Sequence, residues 1–361
     1  MENVHIKQIK YFSMFSGIGG FELGIQQAYD ISNKQSTKIE QDRKGRNGVA
    51  DEMGNDVLPP SRTAPLCIGY SEIDKYAIQT YEKHFNHKNY GDATKLITKD
   101  LPDFDFLVGG FPCQSFSIAG KRKGFNDTRG TLFFEIARVL RDKRPRYFLL
   151  ENVKGLLSSD EGETFQSILG ILTDIGYQLE WQVLNSKNFG VPQNRERVFI
   201  VGYLGKGSRP KVFPVEESNK EDNTRCSGTR IKARGVSNPS RGYEARRDNL
   251  ASTIRAGEMG HKNIIQLNKP KHSNDRVYSD NGISPTLNTM QGGDRQPFIN
   301  QETKIRRLTP TECERLQGFP DGWTEGLSDT QRYKCLGNAV TVNTIEAIFT
   351  NLLIKNPQRD K

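Results

Sequence analysis

Three short segments set reactive side chains beside strand-like apolar runs. Gly109-Gly110-Phe111-Pro112-Cys113 places a thiol directly after one such run. A cysteine there can serve as a nucleophile if its surroundings lower its pKa, and Pro112 would stiffen the turn that aims it. No histidine lies in the turn, so activation has to come from helix-end dipoles or from arginines brought near by folding. Leu149-Leu150-Glu151-Asn152 ends a second run with a carboxylate, and Gln193-Asn194-Arg195-Glu196-Arg197 opens a third. Strand alternation predicts Arg195 and Arg197 on one face. A strand-edge thiol, a carboxylate and two same-face cations together make a chemical constellation, although each alone is more often structural.

A second constellation points to a nucleoside-containing cofactor. Met14-Phe15-Ser16-Gly17-Ile18-Gly19-Gly20-Phe21 sits between a predicted strand and a predicted helix, where glycines let a ligand approach the backbone. Glu72 ends the next strand, at a place where an acid accepts from ribose hydroxyls. Asp92, in Gly91-Asp92-Ala93, is expected at the end of a third strand, facing an adenine amino group. The alternative for both acids is the satisfaction of nearby turn amides. No Gly-Lys-Ser/Thr follows the loop, which disfavours an ATP-hydrolysing phosphate loop.

The elements that must carry these residues alternate along residues 9–200. Strands are predicted at Lys10–Phe15, Leu66–Tyr70, Phe104–Gly109, Tyr147–Leu150, Gln178–Leu184 and Arg197–Val201, with helices at Gly20–Tyr29, Lys75–His84, Leu132–Asp142 and Phe165–Ile175. Apolar runs alternating with amphipathic ones imply an α/β, Rossmann-like, mostly parallel sheet covered on both faces, its last two strands forming a hairpin-like edge. Residues 33–65 are polar and read as a surface insertion or loop. Residues 205–303 are rich in Gly, Ser, Asn and Arg and read as a second, smaller irregular domain. Within it, Ala251–Gly257 and Ser284–Met290 are similar enough to be paired loops. Order returns near Ile305, and Thr341–Leu353 is predicted as a closing helix.

The 361 residues carry 52 Lys and Arg against 43 Asp and Glu, a net charge of +9. Residues 205–300 hold 17 Lys and Arg against 10 Asp and Glu, so most of the excess lies in the irregular region and suits a polyanion. No apolar run approaches the roughly 18 residues of a membrane helix, and the N-terminus lacks a secretory pattern, so a cytoplasmic protein is expected. Five scattered cysteines without a CxxC pair argue against a disulfide framework or a zinc site. No metal is expected.

The ordered set FSGIGG, Glu72, GDA, GGFPCQSFS, RGTLFFEIARVL, ENV, QNRER, RRLTPTECERLQGFP and LGNAVTVN resembles the DNA (cytosine-5) methyltransferases. The resemblance covers most of residues 10–204 and 304–355. It implies a catalytic domain of residues 1–204 and 304–361, with 205–303 as target recognition domain, and S-adenosyl-L-methionine as cofactor. It also implies double-stranded DNA as partner, a monomer, and a bacterial or phage enzyme, either of a restriction–modification pair or a phage protective methylase. By residue-wise match, Cys113 adds to carbon 6 of a flipped cytosine, Glu151 holds ring nitrogen 3 and the exocyclic amine, and Arg197 holds the base carbonyl. Arg195 lies beside the thiolate and phosphates. Phe15, Ser16, Gly17, Gly19, Gly20, Glu72, Ile73, Asp92, Ala93, Pro112, Leu132, Asn338 and Val340 would line the cofactor. Gln114 to Arg129 would cover the flipped base, with Gln114, Ser117, Arg129, Gln193, Arg255 and Arg295 on the DNA. The 33–65 insertion exceeds what that family's core requires. A tRNA cytosine-5 methyltransferase shares the motif set but carries a much smaller recognition region; a catalytically idle DNA-binding protein is disfavoured by the intact Cys113, Glu151 and arginines.

Overall fold

The computed structural model describes residues 8–46, 64–112, 132–205, 212–215, 264–268, 276–288, 296–301 and 304–355. Its centre is a six-stranded sheet of β1 (Lys10–Met14), β2 (Leu66–Ser71), β3 (Phe106–Gly110), β4 (Tyr147–Val153), β5 (Tyr177–Asn185) and β7 (Glu196–Leu204). The strand order is β2-β1-β3-β4-β7-β5. β2, β1, β3 and β4 run parallel, while β7 pairs antiparallel with both β4 and β5. The expected antiparallel edge is present, with β7 inserted between β4 and β5.

The strands alternate cleanly between two cores. Phe12, Met14, Leu107, Phe148 and Leu150 pack on one face under α3 (Leu132–Lys143) and α4 (Glu163–Asp174), which contribute Phe133, Ile136, Leu140, Ile168 and Leu172. Tyr11, Phe106, Val108, Leu149 and Phe199 pack on the other under α1 (Gly20–Arg46) and α7 (Val342–Lys355). Continuous apolar runs such as Phe148-Leu149-Leu150, buried on both sides, are what a covered parallel sheet demands. Gly24 lets α1 and α7 meet closely, since a Cβ there would come within 2.6 Å of Ile345.

A third cluster joins α2 (Lys75–His84) to α5 (Pro310–Leu316) and α6 (Asp329–Asn338), through Ala77, Cys313, Leu316, Phe319, Trp323 and Leu336. α5 opens with a reciprocal capping box between Thr309 and Glu312.

The loop alternative for 33–65 needs correction over its first part. α1 continues to Arg46, so residues 33–46 are helical; only 47–63 lie outside the described residues. Polarity suggested a loop, but Lys, Gln, Glu and Arg are good helix formers and no proline interrupts them. Among the described parts of 205–303 are β8 (Val277–Ser279), β9 (Ser284–Pro285) and β10 (Phe298–Gln301). β10 pairs with β8 and with β11 (Lys304–Arg307), and β9 pairs with β6 (Gln193–Asn194).

Candidate active site

The strand order reverses direction at β1, which has β2 on one side and β3 on the other. In open α/β sheets ligands bind at the carboxyl ends of strands beside such a reversal. The glycine loop leaves β1 there, Phe111-Pro112 leaves β3, and Glu72 follows β2.

The loop has an unusual backbone. Phe15 has φ 56°, Gly17 φ 56° and Gly19 φ 88°. A non-glycine residue in the left-handed region is strained and needs support. Phe15 receives it from its own N–H, which donates to Ser71 O at 2.8 Å. Ser16 turns its hydroxyl inward onto Ser13. Other parts of the chain brace the loop from outside: Trp323 Nε1 donates to Ile18 O at 2.9 Å, Phe85 lies against Gly19, and Val340 lies against Gly20. Gly17 and Gly91 instead border open space, since a Cβ on either would meet nothing within 4 Å.

Glu72 ties the loop to β2. Its Oε2 accepts from Gly17 N at 2.9 Å, and its Oε1 accepts from Ile73 N at 2.8 Å and Asp74 N at 2.9 Å. A carboxylate offers about four lone-pair sites, so acceptor capacity remains. Ile73 beside it is 70% exposed. Asp92 ends no sheet strand, correcting the expectation; it caps the short turn Ala93–Lys95 after an isolated bridge between Tyr70 and Asn89. Oδ1 takes both the amide and the hydroxyl of Thr94, which hold the carboxyl below its ordinary range. Ala93 is buried in the core, Leu132 starts α3 half-buried, and Asn338 is exposed at the end of α6.

Glu151 and Arg197 are brought together by register. Val153 pairs with Arg197 across β4 and β7, and Glu151 shares the face of Val153, so the two are diagonal neighbours. Glu151 Oε1 lies 3.0 Å from Arg197 Nε, with the side chains 13% and 14% exposed. Gly110, the β3 partner of Glu151, leaves room for the carboxylate, because a Cβ there would stand 3.1 Å from Oε2. Asn152, next in β4, donates to Phe111 O at 3.0 Å and pins the chain just before exposed Pro112. Cys113, Gln114, Ser117, Arg129, Arg255 and Arg295 lie outside the described residues.

Two sequence expectations fail here. Arg195 does not share a face with Arg197 as an accessible cation. It falls between β6 and β7, is 2% exposed, and donates to Leu287 O, Gly337 O and Ala339 O. Burial, followed by the Arg197 charge, lowers its pKa, and Glu151 opposes the shift. Gln193, expected on the DNA, is fully buried and bonds Leu316 O and the Leu287 amide. The alternation rule assumes one continuous strand, and the chain changes partner sheets at this point.

Glu22 escaped sequence reasoning because an acid in a first helical turn reads as a partner of the helix dipole. It is 1% exposed, accepts from Tyr81 Oη at 3.1 Å, and that hydroxyl also meets His87 Nδ1 at 2.9 Å. Burial pushes the carboxyl from its ordinary 4.5 up to about 7. A group raised on folding stabilises fully below its unfolded pKa, and that contribution is lost as pH rises through the folded one. Between pH 5 and pH 8 Glu22 therefore removes about 2 to 3 kcal/mol of stability. Glu22→Gln should gain on wild type by about that amount across the same interval, as read by urea unfolding at both pH values. A difference that does not change with pH contradicts this.

The sequence profile of the C-5 cytosine-specific DNA methylase family matches residues 53–353. The chain is 37% identical over 354 residues to the Type II methyltransferase M1.ScrFI of Lactococcus lactis subsp. cremoris, covering 98% of this chain and 80% of the relative. It is 40% identical to the Type II methyltransferase M.HpaII of Haemophilus parainfluenzae, covering 97% and 90%. The crystal structure of S. pombe Dnmt2 methyltransferase shares the fold, with a TM-score of 0.59 at 19% identity over 96% of this chain and 99% of that one. With a matched profile over most of its length and restriction-type relatives near two-fifths identity, the chain belongs to the C-5 cytosine-specific DNA methylase family.

Proposed function

We propose that this protein methylates carbon 5 of a flipped cytosine within a specific double-stranded DNA sequence, as the modifying partner of a restriction system. Residues 1–204 and 304–361 form the catalytic domain in this reading, and 205–303 the recognition domain. The observation that carries it is the Glu151–Arg197 pair, set by register beside the segment that leads into Cys113.

Carbon 5 of cytosine is a weak nucleophile. The Cys113 thiolate forms a bond to carbon 6, which makes carbon 5 enamine-like. Glu151 takes up a proton as the cytosine enters, so that it donates to ring nitrogen 3 and accepts from the exocyclic amine, while Arg197 donates to the carbonyl oxygen. As electron density moves onto the ring, both groups stabilise it more than they did the resting base. Once carbon 5 carries the methyl group, loss of its proton to solvent and departure of the thiolate release 5-methylcytosine. A base inside a duplex is out of reach, so flipping it out costs a few kcal/mol.

The glycine loop fits S-adenosylmethionine. Open space beside Gly17 and Gly91, the spare acceptor capacity of Glu72 and the bare apolar face of Ile73 suit an amino-acid end, a ribose and an adenine. When bound, that cofactor supplies the electrophilic methyl group that carbon 5 accepts. Asp92, Pro112, Leu132, Asn338 and Val340 complete the enclosure.

Purified protein with radiolabelled cofactor should label genomic DNA and leave tRNA unlabelled in parallel reactions. Bisulfite sequencing of a host genome carrying the gene should then show one methylated DNA word. Label in tRNA alone overturns the reading.

A further inference from the structure

Gln193 and Arg195 precede Arg197 on the same chain segment, yet their side chains reach away from it to three other segments. Gln193 Oε1 accepts from Leu287 N at 3.0 Å, and its Nε2 donates to Leu316 O at 2.8 Å, at the end of α5. Arg195 Nη1 donates to Leu287 O at 3.0 Å. Its Nη2 donates to Gly337 O at 3.1 Å and Ala339 O at 2.8 Å, the carbonyls flanking Asn338. Both main-chain polar groups of Leu287 are thus spent on this pair.

The neighbouring contacts reinforce the attachment. Gln193 and Asn194 pair in parallel with Ser284 and Pro285, and the Thr286 hydroxyl donates to Asn194 O. Leu287 itself is 1% exposed and packs with Leu316, Leu336 and Ala339. A stretch of the 205–303 region is therefore bound to the chain two residues before Arg197. The same guanidinium holds the turn on either side of Asn338, which leads into Val340 against Gly20. A planar fork of donors fixed on three carbonyls constrains direction as well as distance, which a lysine ammonium does not.

We infer that Gln193 and Arg195 are positioning residues that fix the recognition region onto the base pocket, Arg195 also setting the cofactor-side turn at 337–340. This rests on the reading of 205–303 as the recognition region. Sequence choice is then transmitted to chemistry through the backbone of Leu287. Gln193 affects the DNA side, and Arg195 affects both DNA and cofactor.

The test compares wild type, Gln193→Ala and Arg195→Lys on the duplex word mapped by bisulfite sequencing and on a duplex with one base pair altered. Equilibrium binding of S-adenosylhomocysteine supplies a readout apart from turnover. Arg195→Lys should raise the DNA KM about tenfold, narrow the preference for the mapped word, and weaken S-adenosylhomocysteine severalfold. Gln193→Ala should shift the DNA KM and preference in the same direction, with S-adenosylhomocysteine affinity within about twofold of wild type. A fall in kcat alone, with KM, preference and S-adenosylhomocysteine binding unchanged, overturns the inference, because Arg195 would then act on the reacting base or on the active fraction. Should Arg195→Lys fail to fold, Gln193→Ala and Thr286→Val, which removes a hydroxyl on the same strap, still decide it; neither changing preference also overturns it. Wild type that labels no DNA would instead defeat the functional reading beneath it.

Discussion

Cys113→Ala is expected to abolish methyl transfer while leaving DNA and cofactor binding in place. Without the thiolate nothing raises the nucleophilicity of carbon 5, and loss of a covalent nucleophile costs about four orders of magnitude or more in rate. Binding survives because the glycine loop, Glu72 and the recognition region do not depend on the sulfur. Single-turnover labelling together with gel-shift titration separates the two effects. Cys67, Cys313 and Cys335, the cysteines among the described residues, are poor rivals for the nucleophile's role, because they are buried and burial pushes each thiol up, away from thiolate character. An Ala variant that still methylates would remove the nucleophile assignment.

The second large effect belongs to Glu151→Gln. Glutamine keeps the shape and can still donate an N–H, but it cannot hold a transferable proton. It also withdraws the anion that stands 3.0 Å from Arg197 Nε. Turnover should fall by about 10²- to 10³-fold. Stability should fall too, by about 2 kcal/mol, because Arg197 is left mostly buried without its carboxylate. Steady-state kinetics on the unmethylated target duplex and a thermal melt measure both. A kcat within a few-fold of wild type would show that Glu151 only fixes Arg197 in place.

Much of this site was legible in the chain because its parts are local. A glycine loop between a strand and a helix, a carboxylate near the end of β4 and an apolar run before Pro112 are each written within about ten residues, and the parallel sheet aligns their carboxyl ends. Register then does what sequence only implied, making Glu151 and Arg197 diagonal neighbours. The failures share one physical origin. The partners of Arg195 are carbonyls 92, 142 and 144 residues away, and those of Gln193 lie as far off. No local periodicity announces such contacts. Glu22 was invisible for the same reason, since its burial depends on Tyr81, which α2 supplies from 59 residues away. The helix over 33–46 was missed because polarity was read as irregularity.

The central claim is a transient carbon–sulfur bond, and the most direct measurement uses a duplex carrying 5-fluorocytosine at the target position. Fluorine cannot leave carbon 5 as a proton does, so elimination stalls with the thiol still attached. Wild-type protein with S-adenosylmethionine should form a complex that survives denaturant, and mass spectrometry should place the pyrimidine on Cys113. No adduct with the fluorinated duplex, or a methyl group found on the exocyclic amine of the normal one, would contradict the account.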